Sequence, residues 1–521
     1  VAVMPMLARA VAGIPAPQRE GSPIEALAEL SEFRQQVYEC PTARADELFE
    51  LAEAVLCAEG PVKTLVGLSL APEHRRGHGA LYDAINHGRI EISRLRHALA
   101  GIELPRAAGG RIVLGVDIFP WLRPGAPTSP ERLFCHTYGR GKDKHQMIPG
   151  WPYSVIAALE SGRTSWTAVL DALRLQPGDD EAAITAAQVR DLVSRMLEAG
   201  HWQPGDPDIL IAFDAGYDLP RLAFLLADLP VEVLGRLRSD RVLLRPAPPR
   251  GPQQIGRPSK HGGEFRLKDE ATWHPPEHTT STDTTHYGTT HYGTTHYGTT
   301  HYGTTHYGTT HYGTTTARCW DRLHHRLGRR SAWINHDGDL PVVEGTLIHL
   351  QVDHLPGERD PKPLWLWSSA VGISSAHLSQ LWQAFLRRFD LEHTFRLFKQ
   401  TLGWTVPKIR APRSADLWTW LIIIAHTQLR LARPLAADLR RPWERPAPPE
   451  RPSPARIRRG FRHIRPAIAH PAGAPKPSTP GPGRPPGSKN RVSARHHDVG
   501  KTVKRDTSPT ARQRQAGWIS S

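Results

Sequence analysis

Three acidic residues stand where a carboxylate could do chemistry. The stretch RIVLGVDIF at 111–119 is a continuous apolar run broken only by Asp117, and DILIAF at 208–213 is followed at once by Asp214. Such runs suit strands buried on both faces, and an acid ending one can emerge at the sheet edge into a cleft. Taken singly, an acid there is more often a helix cap or a solvated turn residue. The third acid lies on a helix predicted over 375–402 and ended by Gly403. On it Phe385, Arg388, Glu392 and Lys399 stand at offsets of 0, 3, 7 and 14. At roughly 100° per residue these fall in a sector about 60° wide. One face thus carries a ring, a guanidinium, a carboxylate and an ammonium in a row, with Asp390 well off it. Three carboxylates from separate elements would suffice for a hard cation that keeps some of its waters. Arginine grips phosphate with a bidentate fork and lysine with a point charge. The plainer alternative is an amphipathic helix with an i,i+4 pair of Arg388 and Glu392.

The spacing Phe385-x2-Arg388-x3-Glu392-x6-Lys399 resembles the Y-x2-R-x3-E-x6-K signature of bacterial insertion-sequence transposases of the DDE class, with Phe replacing the usual Tyr. The order of the acids is similar too: Asp117 on a first strand, Asp214 in FDAGYD on a later one, then the Glu helix. The resemblance spans about 20–435. It implies an α/β fold with an RNase H-like catalytic core, a β-rich insertion between the second Asp and the Glu, and an N-terminal helical domain. It also implies that Asp117, Asp214 and Glu392 are catalytic and hold Mg²⁺, for which Mn²⁺ can substitute. Two such ions about 4 Å apart activate a water or 3′-hydroxyl and stabilise the leaving oxygen in an in-line displacement at phosphorus. Phe385, Arg388 and Lys399 would then contact DNA. Phe385 lacks the phenol hydroxyl that could touch a phosphate, which leaves it stacking or packing. The implied activity is cleavage at terminal inverted repeats and joining to target DNA, by a homodimer that pairs two ends of double-stranded DNA. The alternatives are an RNase H-like nuclease that cuts without strand transfer, and a DNA-binding relic without catalysis.

The elements that must position these residues can be read along the chain. Residues 1–20 are expected to be disordered. Residues 21–105 carry helical spacing over 24–37, 45–57 and 80–99, and 64–90 fits either a DNA-binding helix-turn-helix or a plain bundle. Residues 106–245 form the first part of the core, with strands at LFCHTY, MIPGWPYSVIAAL and VEVLGRL and a helix over 181–199 capped by Asp179 or Asp180. The loop GRGKDKH at 139–145 reads as a solvated turn. Residues 246–345 form the insertion, which holds six tandem His-Tyr-Gly-Thr-Thr copies at 286–315. A five-residue period matches neither helix nor strand. Slippage into a tolerant surface loop explains it better than metal binding by the six histidines. Residues 346–434 complete the core, with strands at TLIHLQVDHL and LWLW, the Glu helix and a buried helix over 415–433.

Residues 435–521 read as a basic, Pro-rich, disordered tail. From 440 onward there are 19 Lys and Arg against 4 Asp and Glu, a net of +15, which equals the net charge of the whole chain. Such a tail suits sequence-independent phosphate contact. Within it Pro482-Gly483-Arg484-Pro485, followed by Lys489 and Arg491, resembles an AT-hook, in which Arg484 would enter a minor groove. A second Gly-Arg-Pro at 256–258 carries little weight. The four cysteines show no CxxC spacing, which argues against structural zinc and for a reducing cytoplasm. The longest apolar run, LWTWLIIIA at 417–425, is too short for a membrane span. No membrane partner is expected, and the expected location is the bacterial cytoplasm, at the nucleoid.

Overall fold

A computed structural model describes residues 22–138, 145–161, 164–249, 256–283, 314–329, 333–334, 336–353, 362–444, 446, 452–476 and 492–500. The N-terminal segment, the basic loop after Tyr138, most of the repeat and the AT-hook-like motif with Arg484 lie outside them.

Two short strands, β1 (Pro41–Ala43) and β2 (Arg89–Ile90), pair with each other among the N-terminal helices. The long apolar runs assemble into one mixed sheet. Its first part is β3 (Val113–Leu122), β4 (Leu133–Tyr138), β5 (His145–Leu159), β6 (Thr167–Arg174), β7 (Ile209–Phe213) and β8 (Val231–Leu237). β5 pairs antiparallel with β3, β4 and β6, while β3, β7 and β8 run parallel to one another. Parallel neighbours need a crossover, which α6 (Glu181–Glu198) supplies between β6 and β7, and α7 (Leu219–Leu225) between β7 and β8. Asp180 caps α6 by accepting from the Ala183 N–H. Val189, Leu192, Val193 and Met196 of α6 join Leu114, Ile156 and Ile211 in the core on that face. β6, with Asp171 buried between Arg96 and Arg195, is a strand the sequence pattern did not announce.

The insertion extends the same sheet. β9 (Val242–Leu244), β10 (Glu264–Arg266), β11 (His278–Asp283), β12 (Thr314–His325), β13 (Glu344–Val352) and β14 (Leu364–Ser368) follow β8. β14 pairs with β8, β13 with β14 and β12 with β13, all antiparallel. TLIHLQVDHL and LWLW therefore pair into the same sheet, as β13 and β14.

The repeat connects two strands that pair directly. β11 and β12 are antiparallel in the register His278↔Cys319 to Asp283↔Thr314, so the chain leaves at Asp283 and returns opposite it. Deleting 290–314 leaves one copy and a five-residue connection (Thr284, Thr285, His286, Tyr287, Gly288) between the paired positions, an ordinary hairpin length. Closing the present connection of 284–313 costs only about 1.5 kcal/mol more, at roughly 0.6 kcal/mol per doubling. The contracted protein should therefore fold and melt at or slightly above the parent's temperature in calorimetry. Misfolding, or loss of a bound metal, would show that the repeat is structural.

The opposite face carries the remaining helices. α1 (Pro23–Glu39) begins with a capping box between Ser22 and Glu25, followed by α2 (Ala45–Cys57), α3 (Leu65–Ser69), α4 (His78–His87) and α5 (Ile92–Ala100). The helix predicted over 80–99 is divided at Gly88, where a Cβ would strike the Ala84 carbonyl, and β2 turns away to pair with β1. These helices share one core with α8 (Ser375–Arg387), α9 (Asp390–Gln400), α10 (Pro412–Leu431) and the sheet. α10 is buried on nearly all sides, as LWTWLIIIA requires. Its Trp418 indole donates to the Trp404 carbonyl.

The expectation of a disordered tail from 435 fails between 452 and 476. Pro454–Ile464 forms α11, which buries Ile457, Phe461 and Ile464 in that core. Its arginines are used internally. Arg458 donates to the Val55 and Gly60 carbonyls, Arg462 pairs with Glu73, and Arg465 pairs with Glu53. An apolar stripe at helical spacing overrides a basic composition once it meets an apolar partner.

Candidate active site

Asp117 does not end its strand, as the apolar run suggested. β3 continues to Leu122 alongside β5, but β7 accompanies it only from Val113 to Gly115. Where β7 stops at Phe213, the β3 edge opens and Asp214 leaves the neighbouring strand. Two carboxylates thus meet at the carboxyl ends of adjacent parallel strands, where open α/β sheets form their crevices. Asp214 is not a helix cap. That role belongs to Asp218, which accepts from the Arg221 N–H at the start of α7.

The predicted Glu helix is two helices. α8 stops at Arg387 and α9 starts at Asp390, and the joint uses tighter bonds: Leu391 N–H to the Arg388 carbonyl and Glu392 N–H to that of Phe389. A tight turn keeps nearly the same angular progression, so the residue spacing survives while the axis breaks. Gly115 lets α9 come close to β3, because a Cβ there would lie 2.9 Å from a Leu391 methyl. Glu392 follows in the first turn of α9, where the helix dipole favours a negative charge.

Arg388 joins the two aspartates. Its Nη1 donates to Asp117 Oδ2 at 2.9 Å, and its Nη2 lies 3.6 Å from Asp214 Oδ1. The residue is only 2% exposed. Burial opposes its charge, yet Asp117, Asp214 and Glu392 hold its pKa above that of an ordinary arginine. Asp117 is pushed up by burial against the pull of Arg388, and Asp214 adds to the rise. Burial also raises Glu392, with Arg388 opposing and both aspartates adding. All three acids therefore lie in one electrostatic field.

The other predicted residues divide. Lys399 sits on the same stretch of β3, its Nζ 3.8 Å above the Phe119 ring, and burial lowers its pKa to about 8. Phe385 is fully buried, with the Arg388 guanidinium 5.9 Å from its ring. It packs beneath Arg388, closed off from solvent. Tyr217, in the FDAGYD segment, was not anticipated. Its hydroxyl is buried without a hydrogen-bond partner among the described residues, and its pKa is driven well up by burial, then by Asp117 and Glu181. Its place three residues after Asp214 was the one local signal.

These groups suit a hard divalent cation. The candidate ligands are carboxylates from separate elements, Asp214 Oδ1 is buried without a hydrogen bond among the described residues, and the Asp214 charge adds to the raised pKa of both Asp117 and Glu392. Among the described residues no three Asp, Glu, His or Cys converge closely enough to close around an ion. Arg388 lies between the two aspartates instead.

A large mixed sheet with two acids beside the open end of β7 is consistent with a nuclease-type α/β protein. The family model described as DDE superfamily endonuclease matches residues 36–297, half of the chain, and the protein belongs to that family. The match includes Asp117 and Asp214 and stops short of Glu392. No curated protein is similar enough to add a named relative. Membership makes the protein an endonuclease-class enzyme with DNA as its implied substrate, in a superfamily whose members typically use divalent metals. No helix among the described residues is long and apolar enough to cross a membrane.

Proposed function

We propose that the protein is a DDE transposase that cleaves transposon ends and joins the 3′ ends to target DNA. The observation that carries this reading is the pairing of Asp117 and Asp214 with one guanidinium at the open end of β7, with Glu392 adding its charge nearby. The strand order β6-β5-β3-β7-β8, with the last three parallel, supports an RNase H-like core. Asp117, Asp214 and Glu392 would hold Mg²⁺, with Mn²⁺ as substitute. Bound there, the metal supplies Lewis-acid stabilisation of charge on the reacting phosphate oxygens. Arg388 and Lys399 bind backbone phosphates, and Tyr217 backs the two aspartates from beneath. Two ends must be brought together, so the working form is a homodimer on paired ends, in the cytoplasm at the nucleoid.

The test is a duplex made from inverted repeats bordering the coding sequence, incubated with Mg²⁺ and a target plasmid. The expected product is the duplex 3′ end joined to plasmid. Cutting without joining would leave a nuclease, and intact DNA with retained binding would leave a relic.

Lys399 gives the reading a pH signature. Its charge is present below about pH 8 and lost above it, so phosphate contact weakens as pH rises. DNA affinity should fall several-fold between pH 7 and 9, and Lys399→Arg should flatten that part of the profile because arginine stays charged. The same slope in wild type and variant would remove Lys399 from the interface.

A further inference from the structure

Resting on the metal-site reading above, we infer that Arg388 is a latch. Its guanidinium occupies the place of the cation between Asp117 and Asp214, and it must withdraw before a divalent ion can load. A permanent structural arginine in this protein looks different. Arg34, equally buried, leaves Nη2 without a hydrogen bond among the described residues but donates from Nε to the Ala469 carbonyl and from Nη1 to both Glu53 and Gln428, all within 2.7 Å. Arg388 makes one contact of hydrogen-bond length, to Asp117. Its second carboxylate is at 3.6 Å and its Nε has no hydrogen bond among the described residues. It neutralises two acids while using little of its donor fork.

Its position allows withdrawal. Arg388 lies in the joint between α8 and α9, where its N–H donates to the Phe385 carbonyl and its carbonyl accepts from the Leu391 N–H, so withdrawal is a movement of the side chain alone. Phe389 and Phe385 present their rings to the guanidinium at 5.3 and 5.9 Å, a flat apolar bed on which it can slide without losing all stabilisation. A guanidinium and a divalent ion cannot share the aspartates, because two cations in that volume repel strongly at low dielectric. Metal and arginine therefore exclude each other. Whatever draws the guanidinium away, a DNA phosphate above all, opens the site to metal, and metal entry by linkage favours that phosphate contact. The enzyme would stay metal-poor until DNA is present.

The experiment is an equilibrium titration of the full-length, DNA-free protein with Mn²⁺ alone, followed by the paramagnetic resonance of the free ion. Wild type should bind weakly. Arg388→Gln should bind at least tenfold more tightly. Arg388→Lys keeps the charge but cannot span two carboxylates, and should tighten binding a few-fold. If the glutamine variant does not fold, the lysine variant carries the test. Unchanged or weaker binding in the folded variants, with Asp117→Asn still abolishing wild-type binding, would overturn the latch and leave the metal site standing. No Asp117-dependent binding in any protein would overturn the metal site, and the latch with it.

Discussion

Asp117→Asn should reduce Mg²⁺-dependent cleavage by roughly 10³-fold or more while the protein stays folded and bound to DNA. A ligand charge that stabilises the transition state by several kcal/mol corresponds to that factor, at about 1.4 kcal/mol per tenfold. The amide keeps the size of the side chain and removes its charge. Burial raises the Asp117 pKa above its unfolded value, so the native state favours the neutral form. The carboxylate is thus a stability cost that sets in as pH rises above the unfolded pKa and is fully present above the folded one. The amide removes that cost, and Arg388 retains Asp214 and Glu392. Melting should move by only a few degrees and gel-shift affinity by a few-fold. The same pattern is expected for Asp214→Asn and Glu392→Gln. Near-normal cleavage by any of the three would strike that residue from the site.

Ending the chain at Pro434 should abolish folding, whereas ending it at Lys476 should not. The first truncation removes Ile457, Phe461 and Ile464 from the core. At about 1.5–3 kcal/mol each this loss rivals the whole stability of a typical domain, about 5–15 kcal/mol. It also strands Glu73, which is buried and paired with Arg462, and takes Arg465 from Glu53, which keeps Arg34. The second truncation spares α11. It loses three hydrogen bonds that tie His497 and Gly500 to Pro127 and Arg132, each worth about 1 kcal/mol. It also removes nine Lys and Arg with two Asp, a net of +7. Affinity for any duplex should then fall, and the log–log salt slope should flatten by about one unit for each phosphate the tail no longer neutralises. Circular dichroism and a salt series of binding isotherms would check both chains. A folded 1–434 protein would refute the packing role of α11, and an unchanged slope for 1–476 would make the distal tail passive.

What could be read beforehand depended on how directly burial writes itself into sequence. The strands holding Asp117 and Asp214 are buried on both faces, and two-sided burial leaves unbroken apolar runs. The all-round burial of α10 was visible for the same reason. The break at Arg388 was hidden because a tighter turn barely changes the angular pattern. The division at Gly88 turned on pairing with Pro41–Ala43, a contact distant in sequence. α11 was masked by its arginines, since Ile457, Phe461 and Ile464 mark a helix only once their partner surface is known. Tyr217 escaped notice because its one local signal, a place three residues after Asp214, does not tell a buried phenol from an exposed one. Arg388 could be read as a candidate phosphate ligand but not as the partner of Asp117, which lies 271 positions away.

The unbroken sheet has a mechanical consequence. β14 is bonded along β8 from Trp365 to Ser368, and β8 along β7, so the insertion meets the acid-bearing strands through rows of backbone bonds, not through a tether. Bending such a row costs many bonds at once, which makes the insertion a cantilever fixed to the strand that ends at Asp214. A load on its outer edge reaches the carboxylates as twist within the sheet.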